Sequence, residues 1–425
     1  MMLQLQSLLG LLVFPLLAWV LSENRTAYKS SQLVRLIGVG LLLQIVIAAA
    51  MLHIPVLRVG FDWATSLVLS LQNATLSGMK FVFGYVAGGP APYQTVNPQF
   101  GFILAFQALP LILLISALTR LLYHWGILQI VVRGFSWALQ RSLGVSGTVG
   151  TSAAANIFVG MIEAPLFVRP YLASMSRGAL FAMMSVGMAT IAGTVLALYA
   201  GVLSASLPGA AGHLIVASII SAPAAIMLAA LMVPDLDSNP AEVPEQTISS
   251  DDRTHGSVDA IVKGTQEGIL LLVNVTAMLI IFVALVALGN QILGAISEPF
   301  GFKLTIEGIL GFAFAPLAWL TGIPANEAIS AGSILGIKTV LNEFLAYIQL
   351  AKTSPEIISE RSRLILSYAL CGFANMGSLG IMIGGLITIL PERKKEIVEL
   401  GTKTLISGTF ATLMTGCVVG LLTGW

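Results

Sequence analysis

The sequence predicts an all-α membrane protein: about eight transmembrane helices, two re-entrant hairpins and interfacial helices, arranged as inverted repeats. Three observations lead there. Only 10% of the 425 residues are charged and 56% are hydrophobic, with mean hydropathy +0.92. Soluble domains carry about 25% charged residues, so too little polar surface is left to solvate a globule of this length, and the bilayer is the solvent that fits. Apolar runs of about 20 residues recur along the chain, the length that crosses a hydrocarbon core. Two further segments are apolar yet interrupted at their centres by Pro, Asn, Glu or Gly, and each precedes a helix that is itself broken.

In chain order, clear spans lie near 4–21, 36–53, 102–122, 179–203, 213–233, 266–293, 364–389 and 403–423. The first lacks a basic leader and a small-residue cleavage site, so it reads as a membrane helix, not a secretory signal. Segment 61–81 carries Asp62, Gln72, Asn73 and Lys80 among Leu, Val and Phe, and 127–143 sets Arg133 and Arg141 beside Trp137; both suit interfacial helices. Segments 148–175 and 325–351 are too long for turns and too polar to face lipid, so they are expected to be hairpins. Segment 304–322 is long enough to span but is placed as an interfacial or re-entrant piece. Residues 1–60 then form N-terminal scaffold helices, 61–233 a first transport repeat, 234–263 a polar cytoplasmic loop, 264–295 a scaffold helix and 296–425 a second transport repeat.

Orientation follows from the basic residues near the span ends. Arg25, Lys29 and Arg35 place the first loop in the cytoplasm, and eight spans put both termini outside. Arg133, Arg141, Arg169, Arg177, Arg253, Lys263, Arg393, Lys394 and Lys395 then fall inside. Arg361 and Arg363 fall outside and count against the bias. A spanning 304–322 would carry 391–396 (PERKKE) outside as well.

Net charge of +1 gives no reason to expect a nucleic-acid partner. Cys371 and Cys417 lie in apolar runs and read as small buried hydrophobes, and the four histidines have no metal-ligand spacing.

The chemistry concentrates in the interrupted segments. Glu163 and Glu343 each sit near the middle of one hairpin, where a carboxylate costs several kcal/mol unless it meets a cavity or a partner. Gly160 and Pro165 break the first hairpin, freeing backbone groups that need polar company. Near 187–194 (GMATIAGT) and 371–378 (CGFANMGS), small residues and Asn375 point to unwound turns in the following helices. Hairpin plus broken helix, twice, is the pattern of an inverted-repeat transporter with its site at the midplane. Glu343, Asn375 and Ser378 suit a vicinal diol, which a ribose offers; these residue types alone specify only a polar, hydroxylated small molecule. Side-chain oxygens of Asn156 and Thr190, with carbonyls from an unwound turn, can form a hard oxygen cage for a small cation. A membrane-embedded enzyme using Glu163 and Glu343 as an acid/base pair, and a receptor or channel without coupled flux, remain as other readings; no His, Cys or Asp gathers near the pair.

At SAAANIFVG with EAPL (152–166), ATIAG (189–193), G.KTV.NEF.AY (336–347) and CGFAN (371–375), the sequence resembles the concentrative nucleoside transporter family, over essentially the whole chain. That resemblance implies a sodium-coupled importer of the cell (inner) membrane, a homotrimer whose protomers each carry a static scaffold and a transport unit moving as an elevator. It implies that Glu163 helps hold the base, that Glu343, Asn375 and Ser378 bind the ribose hydroxyls, and that Val195 and Phe373 pack around the nucleoside. It places Na+ on Asn156, the Val159 carbonyl, Thr190 and the Ile191 carbonyl. Proton coupling is the alternative; the oxygen-bearing side chains of Asn156 and Thr190 favour sodium. One departure stands out. Many family members read Gly-Gln-Thr-Glu at the first hairpin tip, where this chain reads Gly160, Met161, Ile162, Glu163. A pyrimidine edge that loses such hydrogen bonds loses about 1–3 kcal/mol, while an adaptable Met can lie against a larger ring. The resemblance to purine-preferring members, which pair a Met there with a Thr at the place of Thr190, implies a shift toward adenosine or inosine.

Overall fold

The computed structural model describes residues 2–94, 101–234 and 254–423, and among them every regular element is a helix. Seven helices are long and apolar enough to cross a membrane. They are α1 (Met2–Val20), α2 (Ser30–His53), the α4–α5 stretch (Leu104–Gln107 and Leu111–His124), α8 with α9 (Arg177–Ala189 and Gly193–Leu203), α10 (Ala210–Met232), α11 (Ser257–Ser297) and α17 (Lys394–Leu422). An eighth crossing is made in two pieces, α15 (Glu360–Ala369) and α16 (Met376–Ile389). These are the eight spans expected.

Both interrupted segments fold as hairpins. In the first, α7 (Gly147–Asn156) is buried at every residue, turns at 157–163, and returns as a 3-10 stretch, Ala164–Ser174. Pro170 in the returning arm removes a backbone donor, and the chain kinks at Val168, whose φ/ψ is not helical. The second hairpin pairs α13 (Ala328–Val340) with α14 (Glu343–Lys352), and the Asn342 side chain caps α14 by accepting the Leu345 N–H at 2.9 Å. The breaks in the following helices fall at Thr190–Ala192 and at Leu370–Asn375.

The interfacial pieces have one-sided faces. In α6 (Ile127–Leu143), Leu128, Val132, Ser136 and Leu139 are buried, while Arg133, Trp137 and Arg141 are exposed at four-residue spacing. Segment 61–81 lies within a longer helix, α3 (Pro55–Phe83). Segment 304–322 folds as α12 (Ile306–Leu320), 15 residues long. At about 1.5 Å per residue it reaches roughly 22 Å, short of a 30 Å core. It lies along α13, where Gly311, Gly332 and Gly336 let the two backbones approach closely.

Most of the polar segment 234–263 lies outside the described residues, but its end differs from expectation. Helix α11 already begins at Ser257, because Asp259 accepts the His255 N–H at 2.9 Å and pairs with Lys263 one turn on, at 3.6 Å. At 41 residues, α11 is longer than the span expected at 264–295.

The centre of the molecule is α8, α10 and α17, mutually packed, with α15 against α17 and α2 against α10. Helix α1 joins the same body through α17 and α10; Phe14 meets Phe410 with ring centroids 5.6 Å apart. Helix α11 packs chiefly on α5. Cys371 and Cys417 are buried free thiols.

Arg361 and Arg363, which ran against the topology, are structural caps. Arg361 donates to the carbonyls of Gly322 and Gly420 at 2.5 and 2.6 Å, and Arg363 to those of Leu350 and Thr353. Each guanidinium adds donors to carbonyls at the ends of helices, where intrahelical partners run short.

Candidate functional site

Glu343 is 4% exposed and opens α14. Its Oε1 accepts the Tyr199 hydroxyl at 2.5 Å and its Oε2 accepts the Asn375 amide at 2.6 Å. Asn375 is also the cap of α16, its Oδ1 accepting the Ser378 N–H at 2.7 Å. The Glu343 carboxylate thus meets Asn375 and, through its cap, Ser378 at the head of α16.

Tyr199 was not anticipated. It lies on α9, the second half of the first broken helix, and its ring stands 5.0 Å from Tyr347 and 5.8 Å from Phe344. A phenol in the apolar run VLALYAG was the available signal, since a buried phenol needs a partner. Through it the first repeat reaches the carboxylate of the second.

The second constellation sits at the first hairpin. Asn156 ends α7 and is 1% exposed. Its Nδ2 donates to the Ser152 carbonyl at 3.1 Å, but its Oδ1 is buried without a partner. Thr190, at the break after α8, donates its hydroxyl to the carbonyls of Val186 at 2.9 Å and Asn156 at 3.2 Å. Gly193 N–H donates to the Phe158 carbonyl at 2.9 Å, tying the hairpin tip to the start of α9. Among the described residues the carbonyls of Val159 and Ile191 accept no backbone hydrogen bond. An orphaned amide oxygen and two unpaired carbonyls beside a helix break fit a small, hard cation.

Both constellations are stitched together. Phe373 N–H donates to the Thr190 carbonyl at 3.3 Å, joining the two breaks. Phe373 is half-buried there, and Val195 is buried on α9.

The hairpin tip is placed differently from the other site residues. Gly160 has φ +122°, and a Cβ there would stand 2.9 Å from Glu163 Oε2, so the turn requires glycine. Met161 is buried against Gly187 of α8, while Ile162 is 38% exposed and lies over Gly385 of α16. Glu163 is exposed, close to the Arg120–Glu267 pair, whose charges are 3.5 Å apart. No hydrogen bond or ion pair among the described residues joins Glu163 to Glu343.

Paired hairpins and paired broken helices, closed around a buried carboxylate and an unsatisfied amide oxygen, define a membrane transporter built from inverted repeats. Comparison with known proteins identifies which. Residues 9–86 and 213–420 match the models for the N- and C-terminal parts of the Na+ dependent nucleoside transporters, and 105–206 match the nucleoside recognition model. The nucleoside permease NupC of Helicobacter pylori is 37% identical, over 98% of this chain and 97% of its own. An uncharacterized transporter of Haemophilus influenzae is 39% identical, over 99% and 98%. The solved structure of CNTnw in an inward-facing, substrate-bound state aligns with TM-score 0.88 at 36% identity, covering 99% of this chain and 98% of that one. A CNTnw variant in an outward-facing state aligns with TM-score 0.90 at 36% identity, covering 100% and 98%. The chain belongs to the concentrative nucleoside transporter family, a family of multi-pass membrane transporters and not of enzymes.

Proposed function

We propose that this protein is a sodium-coupled symporter that imports nucleosides, with a preference for purine nucleosides. The observation that carries this reading is the joined pair of constellations: a buried carboxylate held by two donors, linked through Asn375 and Phe373 to an oxygen-lined corner with an orphaned acceptor. A carboxylate accepts both hydroxyls of a vicinal diol, so Glu343, with Asn375 and Ser378 at the positive end of α16, takes the ribose. Phe373 and Val195 line the nucleoside, and Glu163 reaches the base. Na+ is held by Asn156 Oδ1, Thr190 and the carbonyls of Val159 and Ile191.

Coupling then has a physical route. An ion that fixes Asn156 and Thr190 also fixes the Thr190 carbonyl, to which the Phe373 N–H is bonded, and so orders the break that carries Asn375. Ordering one site lowers the cost of ordering the other, which is a coupling free energy and is reciprocal.

The packing supports α5 with α11 as the static element and groups residues 1–60 with the moving body, since α1 and α2 rest on α10 and α17. We further propose a homotrimer and an elevator motion, in keeping with the long apolar flank of α11 that no other helix among the described residues covers; Leu270, Ile280 and Leu288 are exposed on it. The purine preference rests on Met161 and Ile162, which offer no hydrogen bond to a base edge.

The decisive experiment is uptake into proteoliposomes with a nucleoside panel. A sodium gradient should drive accumulation of unmodified nucleoside, adenosine and inosine ahead of uridine and cytidine. Equilibration without accumulation marks a channel, a chemically changed substrate marks an enzyme, and accumulation driven only by a proton gradient refutes sodium coupling. Uridine competing with labelled adenosine as well as unlabelled adenosine does refutes the purine preference.

A further inference from the structure

A cavity that shares no residue with either constellation lies between α2, α6 and α10. It measures about 350 Å³, within the roughly 300–1,000 Å³ of sites that take small ligands. Its walls include Leu43 and Ile47 of α2, Ile219 and Pro223 of α10, and Phe135 of α6. Ile157, the residue after Asn156, also faces it. Among the described residues no acidic side chain lines it. Such walls offer a polar solute no partner, and an apolar recess does not hold water. They suit a hydrocarbon chain.

One helix supplies all the polar side chains. Trp137, Arg141 and Ser142 line the cavity from α6, and the first two are exposed. The Ser142 hydroxyl spends its proton on the Ala138 carbonyl of its own helix, at 2.7 Å. Among the described residues, no hydrogen bond or ion pair involves the Trp137 indole or the Arg141 guanidinium. The groups left free are donors, one of them charged, so the ligand they call for is an anionic acceptor. The other side of α6 is fixed to the first hairpin: Ser136 Oγ and Thr151 Oγ1 are 2.9 Å apart, and the Phe135 and Phe158 ring centroids 5.3 Å. The donors therefore stand at the rim of a recess that cannot easily close. Trp beside Arg on an exposed stripe is also the pairing of the membrane interface, and the expected topology puts α6 at the cytoplasmic leaflet, where anionic lipids gather.

We propose that this cavity binds one anionic phospholipid per protomer, with the phosphodiester on Arg141 and the Trp137 indole and one acyl chain along α2 and α10. The chain then packs against Ile157, at the turn of the first hairpin. This assignment needs only that the protein lies in a bilayer.

The test is native mass spectrometry of the purified protein titrated with phosphatidylglycerol or phosphatidylcholine. Wild type is compared with Arg141→Gln, Arg133→Gln and Ala138→Trp; all three positions are exposed, so each variant should fold. Wild type should retain one phosphatidylglycerol per protomer, about fivefold more tightly than phosphatidylcholine, the effect of one basic group on an anionic lipid. Arg141→Gln should lose that preference and bind both lipids alike. Ala138→Trp puts an indole into the cavity and should lose the retained lipid whatever its charge. Arg133 does not line the cavity, so Arg133→Gln should behave as wild type. If it erodes the preference as far as Arg141→Gln does, the lipid belongs to an unspecific annulus and the proposal is overturned. Equal retention of the two lipids by wild type, or undiminished retention by Ala138→Trp, overturns it as well.

Discussion

Replacing Asn156 with Leu asks whether the orphaned oxygen is a ligand or a flaw. The side chain is 1% exposed, with Nδ2 bonded to the Ser152 carbonyl at 3.1 Å and Oδ1 bonded to nothing. A buried acceptor left unpaired costs about 1–3 kcal/mol, and an ordinary hydrogen bond is worth about 1 kcal/mol net. Leu is nearly isosteric and removes both. In sodium-free medium the variant should therefore be anywhere from equal to about 2 kcal/mol more stable than wild type. The Thr190 bond to the Asn156 carbonyl survives the change, because it uses backbone. Sodium reverses the order. At a hundred times its dissociation constant an ion stabilises the binding protein by about 2.7 kcal/mol, and Asn156→Leu should gain almost none of it. The assay is unfolding of the detergent-solubilised protein in sodium chloride and in choline chloride at matched ionic strength. Equal stabilisation of both proteins by sodium refutes the ligand assignment. So does a loss above about 3 kcal/mol in sodium-free medium, which would make the amide a structural tie.

Other substitutions separate the remaining roles. Glu343→Gln turns one acceptor into a donor facing Tyr199 or Asn375, and uptake of every nucleoside should fall about 10- to 100-fold, matching the 1.5–3 kcal/mol of a charge-assisted bond. Met161→Gln should instead shift base preference toward uridine and cytidine in a competition assay; equal losses for all substrates in both variants would refute the division between ribose and base. Tyr199→Phe should weaken binding of all nucleosides about tenfold, leaving the sodium-induced gain in melting temperature unchanged. Outside the membrane, Glu23 is held at about 2, below its ordinary 4.5, first by the Arg177 hydrogen bonds and then by Lys403. A depressed carboxylate stabilises above its unfolded value and loses that contribution as pH falls through its folded one. The melting temperature of wild type should thus exceed that of Glu23→Gln at pH 7 and converge on it between pH 4.5 and 2; a constant gap would refute it.

What could be read from the sequence was what depends on neighbours in sequence. The hairpins and both breaks were legible because Gly, Pro and Asn act on their own backbone, and Glu163 and Glu343 stood out because carboxylates at bilayer depth are costly. Tyr199 and Lys338 were not, because their partners lie far along the chain: Glu343 is 144 residues from Tyr199, and Ala369 and Thr412 are 31 and 74 from Lys338. Arg361 and Arg363 show the same limit from another side. Counting basic residues treats each as a free charge reporting on the membrane, yet both spend their donors on carbonyls of helix ends that no local pattern places beside them.

That limit bears on how the transporter couples its two sites. Each repeat taken alone has half of the machinery: the first has the oxygen corner and Glu163, the second the buried Glu343. The groups that join them, Tyr199 to Glu343 and Phe373 to Thr190, both cross between repeats. A bond within a repeat moves with it and reports nothing to the other. A bond across the breaks is strained or released whenever either half-helix pair is reordered, so under the proposed sodium-coupled mechanism these two contacts are where sodium occupancy and nucleoside occupancy exchange free energy. It follows that weakening the Tyr199 contact should lower the factor by which sodium improves nucleoside affinity, and by reciprocity the factor by which nucleoside improves sodium affinity. Measured in both directions on Tyr199→Phe, the two factors must fall together. A fall in one alone would mean that the sites communicate by another route.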